Sequence, residues 1–197
     1  MLRPTNQRGV SLIEVLISIV IASIALLALA GVNASAVRYT KMSQYRTIAA
    51  QLAADIGERM RANKGTAAVA AIPPAAAIPA TGFLAGGYDI GATFAAQSAI
   101  AVMPGTTCDT AVSNCTANQI AAVDIAQWRI NVRQHLPEGS AFIIRQANEV
   151  AADVWVVWRD PAVANTDEAP EAAKECPDGL TKGGDLSIRC SFFRINL

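Results

Sequence analysis

The chain has 197 residues, enough for one modest globular domain and an extension. Its 16 basic and 16 acidic residues cancel, so composition gives no electrostatic footprint for nucleic acid. Apolar residues make up 52% and charged ones only 16%. Both biases are concentrated in two places: an apolar run at the N-terminus and an alanine-rich stretch near 65–102.

From Gly9 to Val37 one residue is charged, Glu14, with Arg3 and Arg8 before the run and Arg38 and Lys41 after it. Val10 to Val32 is long enough to span a bilayer as a helix, which takes about 20 residues. Fourteen of these residues are Ile, Leu or Val. Each contributes about −0.3 to −0.6 kcal/mol near the bilayer centre, against about 2.5–3.5 for a central acid, so insertion is favoured despite Glu14. Arg3, Arg8 and the α-amine favour a cytoplasmic N-terminus, with everything after about Asn33 outside. Three readings compete. One is a simple signal anchor. Another is a cleavable secretory signal, for which Ala28-Leu29-Ala30 supplies a small-residue site. Against cleavage there, the apolar stretch is long, an acid stands at its start, and the helical pattern continues past the site. The third reading makes the acid a functional residue.

The helical pattern runs on to about Asn63, with Met42, Tyr45, Ala49, Leu52, Ile56 and Met60 spaced three or four apart, an amphipathic face for a globular domain. A helix from Val10 to Asn63 would extend roughly 80 Å at 1.5 Å per residue. Residues 64–104 are rich in Ala, Gly and Pro and read as a long, partly irregular connection. A second helix begins near Thr116, where Thr116 and Gln119 have capping-box spacing. Ile120, Val123, Trp128, Val132 and Leu136 form its stripe, Trp128 being a core aromatic, and Pro137 and Gly139 end it. Ala141–Gln146 and Asp153–Trp158 read as a hairpin and Leu186–Ile195 as a final strand. These elements predict an α+β fold, the long N-terminal helix packed on an antiparallel sheet.

Cys108, Cys115, Cys176 and Cys190 form no C-x-x-C pair, and their spacing suits no usual zinc site. An even count outside the cytoplasm reads as two disulfides. Short loops close most easily, which favours Cys108–Cys115 and Cys176–Cys190; the other two connectivities stay open. No phosphate loop, H-E-x-x-H or G-x-S-x-G is present. The single His135 reads as an exposed or satisfied residue. Asp167, Glu168, Glu171 and Glu175 read as a solvated loop, with a calcium site as the alternative. No catalytic, cofactor or metal residue is predicted.

Gly9-Val10-Ser11-Leu12-Ile13-Glu14 resembles the leader motif of type IV prepilins: a basic leader, a glycine, four mostly apolar residues, then glutamate. Val10 stands where phenylalanine is usual. The resemblance implies that prepilin peptidase cuts after Gly9 and that Val10 is then N-methylated. It also implies that Glu14, fifth in the mature chain, meets the N-terminal amine of a neighbouring subunit during assembly. Arg59-Met60-Arg61-Ala62-Asn63, Asp124…Trp128-Arg129, Leu136-Pro137-x-Gly139, Val154–Asp160 and Cys190…Arg194-Ile195 resemble minor pilins of the PilV type, the pilus modification proteins.

The resemblance implies a pilin-like fold in four parts. Residues 1–9 are a leader, 10–32 a transmembrane and assembly segment, 33–63 an amphipathic segment, and 64–197 a periplasmic or extracellular domain. It implies a non-enzymatic minor pilin, held in the inner membrane and then in a surface pilus serving adhesion and motility. Its partners would be prepilin peptidase, other minor pilins, the major pilin, the inner-membrane assembly platform and lipid. The alternatives are a type II secretion pseudopilin and a membrane-anchored periplasmic binding module that never polymerises.

Overall fold

A computed structural model describes residues 11–105, 108–110, 113–146, 149–160, 175–180, 185 and 187–197. The chain divides into two units, Met1–Ser43 and Gln44–Leu197. Helix α1, Leu12–Ala62, runs through the division.

In the first unit α1 leaves its apolar side chains exposed, among them Leu16, Ile21, Leu27 and Val37. An 18-residue window of this helix has a mean hydropathy of 2.8, high enough for a membrane span. Its few hydroxyls are internally satisfied. Ser18, Ser23, Ser35 and Thr40 each donate to the carbonyl four residues back, at 2.7, 2.7, 3.2 and 2.8 Å. That habit removes unpaired donors from an apolar helix surface.

In the second unit α1 buries one face through Ala49, Leu52, Ala53, Ile56 and Met60. The sheet has the order β1-β2-β3, all antiparallel. The strands are β1 (Ser140–Gln146), β2 (Ala151–Arg159) and β3 (Ile188–Asn196). Side chains alternate across a strand. Ala152, Val154, Val156 and Trp158 of β2 therefore share the face turned to α1, where Tyr45 meets Trp158 at 6.4 Å between ring centroids. Ile195 of β3 lies on the same face, and a Cβ on Gly57 would sit 3.2 Å from it. Val157 turns the other way, into a cluster with Phe94, Phe142, Leu180, Ile188 and Cys190. Helix α2, Ala117–His135, is capped by Thr116. Gln119 N–H donates to the Thr116 hydroxyl at 3.3 Å, and Thr116 N–H donates to the Gln119 amide oxygen at 2.8 Å. Its buried face is Ala121, Val123, Ala126, Trp128 and Val132. The predicted long helix on an antiparallel sheet is the observed α+β architecture.

Residues 64–104 hold more order than an irregular connection. Phe83, Tyr88, Ile90 and Phe94 are buried, and Ile90 bridges Ile143 of β1. Before them, residues 66–81 leave the domain as an exposed arm that folds back on itself. The arm's neck is narrow. Gly65 and Gly82 have φ of 76° and 61°, and a Cβ at Gly65 would lie 1.9 Å from the Thr81 carbonyl oxygen. Gly65→Ala should therefore destabilise the domain by more than the roughly 1–2 kcal/mol that a left-handed backbone alone costs. Thermal unfolding of the full chain checks this; an unchanged midpoint would mean that the neck is not closed this way.

Candidate functional site

The predicted site residues fall in separate places. Gly9 and Val10 lie outside the described residues. Glu14 stands in the first turn of α1 and is exposed. The turn starts at Ser11, whose carbonyl accepts from Glu14 N–H at 3.0 Å and Val15 N–H at 3.3 Å. An acid in a first helical turn faces the positive end of the helix dipole, which favours its charged form. Among the described residues Glu14 makes no ion pair.

Disulfides join Cys108 to Cys115 and Cys176 to Cys190. The second fastens the loop carrying Glu175 to β3. Glu175 then bridges two elements: it accepts from Arg46 of α1 at 2.9 Å and from Arg189 of β3 at 3.1 Å. The other acids of that loop, Asp167, Glu168 and Glu171, lie outside the described residues. Among the described residues no group of His, Cys, Asp and Glu is arranged to hold a metal ion. His135 is exposed, with Nδ1 2.9 Å from the Asn131 carbonyl oxygen.

A polar network that the sequence did not reveal ties the end of α1 to α2. Arg59 reaches Asp124 at 3.2 Å, Gln127 at 3.0 Å and Asp55 at 3.2 Å. The Tyr88 hydroxyl donates to the second Asp124 oxygen at 2.5 Å. Asn63 donates to the Ala117 carbonyl at 2.7 Å and to the Tyr88 oxygen at 3.2 Å. Burial, reinforced by the Asp124 carboxylate, pushes the Tyr88 hydroxyl pKa up, so it stays a donor. Burial pulls the Arg59 pKa down, but hydrogen bonds and charge from Asp55 and Asp124 outweigh it and hold it above its ordinary value. The group is fully partnered and encloses no cleft; it is suited to fixing two helices rather than to acid–base chemistry. Arg59, Asn63 and Asp124 were visible as parts of family motifs, but their meeting depends on the fold.

Residues 4–30 match the family model described as "Prokaryotic N-terminal methylation motif". No curated protein and no solved structure matches the chain. The matched segment carries a prepilin-type leader and most of the exposed apolar part of α1. It supports the type IV pilin and pseudopilin family, with processing by prepilin peptidase and anchoring in a membrane.

Proposed function

We propose that the chain is a minor type IV pilin of the pilus modification (PilV) type. One observation carries the reading. A prepilin leader opens directly onto an exposed apolar helix, whose one acid, Glu14, stands five residues beyond Gly9. In this reading residues 1–9 are removed after Gly9, and Val10 becomes the methylated N-terminus. Residues 10–32 hold the protein first in the inner membrane and then among the apolar helices of a pilus. Residues 33–63 join that segment to the domain of 64–197, which lies outside the cytoplasm. The partners are prepilin peptidase, the assembly platform, the other minor pilins and the major pilin. The role is structural, with no catalytic step.

A type II secretion pseudopilin would use the same leader. Detection in sheared surface fibres, at low ratio to a major subunit, separates the two. The leader itself has a sharper test. The native protein's intact mass should correspond to a chain starting at Val10, heavier by one methyl group. A start at Gly31, after Ala28-Leu29-Ala30, would mean ordinary signal cleavage and would overturn the pilin reading.

A further inference from the structure

The exposed arm has a repeat that neither helix nor strand explains. Thr66 pairs with Thr81, Val69 with Ile78, and Ile72 with Ala75, so that the pairing recurs every third residue. Val69 and Ile78 exchange both backbone hydrogen bonds, at 2.8 and 2.9 Å, and Ala75 N–H reaches the Ile72 carbonyl at 2.7 Å. Thr81 N–H donates to the Thr66 carbonyl at 3.0 Å, and the two hydroxyls lie 3.0 Å apart. Every residue between the paired positions is Ala or Pro. Three residues per turn is the period of a polyproline II strand, whose backbone groups are free to bond elsewhere. The arm carries no charge, none occurring from Gly65 to Tyr88. Its larger apolar side chains point outward: Val69, Ile72 and Ile78 are 52, 72 and 57% exposed.

The same chain carries a surface suited to such an arm. Phe142, Trp155 and Phe192 stand in register across the three strands, with ring centroids 5.8 and 4.9 Å apart. At the β3 end Phe192 is half exposed. There a groove of about 630 Å³ follows the strand past Trp155, Ser191, Phe192 and Phe193. Among the described residues β3 pairs only with β2, so the groove lies along a sheet edge. Its two charged residues, Arg46 and Glu175, neutralise each other at 2.9 Å. Aromatic-lined grooves take preformed Pro-rich segments, and a sheet edge adds backbone donors and acceptors. Arm and groove are therefore complementary in charge, being neutral, and in hydrogen bonding. Exposure of Ile72 and Phe192 shows that neither is covered within one chain.

We propose that the arm of one copy docks in the Trp155–Phe192 groove of a second copy. A contact between two different patches is head-to-tail and can continue from copy to copy. It is independent of the pilin reading, because a domain that is only tethered to a membrane would present the same two surfaces.

The test is a photo-crosslinking residue at Ile72 of the full chain in detergent micelles, with light and heavy isotope-labelled copies mixed. The expected product is a light–heavy pair joining position 72 to the peptide that contains Phe192. Phe192→Ser and, separately, Ile78→Asp should each lower its yield about tenfold, the factor that losing one buried apolar anchor implies. Ile78 is exposed, so the second variant tests the contact even if the first fails to fold. Crosslinks confined to one chain, directed to detergent, or landing away from β3 would overturn the proposal. So would crosslinks made in cells only to a different protein.

Discussion

Replacing Trp128 with alanine should destabilise the folded domain by about 3–5 kcal/mol, the range for removing a large buried aromatic. Trp128 is fully buried, and its indole N–H donates to the Leu52 carbonyl of α1 at 2.8 Å. The side chain thus fills the space between two helices and hydrogen-bonds across it. It lies one turn beyond Asp124, which receives Arg59 and Tyr88, so a collapse around the cavity would strain that network too. Domains of this kind are stable by only about 5–15 kcal/mol. A loss of this size should lower the unfolding midpoint by roughly 10 °C, read by near-ultraviolet circular dichroism of the full chain. Trp128→Phe retains most of the volume but loses the donor, and should cost nearer 1–3 kcal/mol. Cleavage of the leader should be unaffected in both variants, since the motif lies in the other unit. If alanine at 128 shifts stability by less than about 1 kcal/mol, the site is not close-packed and α2 does not hold α1 in this way.

The contrast with Trp158 shows what the sequence could and could not convey. Both tryptophans sit in apolar-periodic segments and both are fully buried. Trp158 Nε1 has no hydrogen-bond partner among the described residues, so Trp158 acts there as apolar filling beside Tyr45. Periodicity marks each as a core residue, but which one also joins two elements depends on their placement in space. The same limit hid the polar network. Asp55, Arg59 and Asn63 share a helix end, yet Tyr88 and Asp124 come from distant segments.

The elements with a regular period were legible. The stripe from Ala49 to Met60, the Thr116 capping box and the apolar runs of the three strands each follow a local rule. The stretch after α1 obeys neither the helical period nor the alternation of a strand, so it read as a connection. Its order lies in a spacing of three: Thr66, Val69, Ile72, Ala75, Ile78 and Thr81, with only small or ring-locked residues between. Isolated aromatics such as Phe83, Tyr88 and Phe94 gave no sign of burial because nothing periodic surrounds them. Glu175 misled differently. It stands near other acids in sequence, but the Cys176–Cys190 bridge brings its loop to β3, where it meets Arg46 and Arg189. The leader needed no such assembly in space. Its signal is contiguous, which is why it was readable from residues alone.

The largest functional effect should come from Glu14. Changing Glu14→Val should leave membrane insertion intact, because it removes the one acid from an otherwise apolar helix. Leader cleavage should also survive, since the Gly9–Val10 bond is untouched. Incorporation into a filament should fail. In the proposed assembly the carboxylate meets the N-terminal amine of a neighbouring subunit among apolar helices. An ion there is tolerated only with its partner, and removing one member of a buried pair costs about 3–5 kcal/mol. That energy corresponds to a factor of about 10²–10³ in the assembly equilibrium. The exposure of the apolar residues around Glu14 fits this account, since an acid on such a surface has no reason to be there unless a partner charge arrives with another chain. The measurement is the ratio of mature variant in sheared fibres to mature variant in membranes. Glu14→Gln provides the second arm: it retains size and hydrogen bonding but not charge, and should be excluded as well. Variants cleaved and incorporated like the wild type would place Glu14 at the headgroup level of the membrane with no part in assembly, and the helix would then serve as an anchor alone.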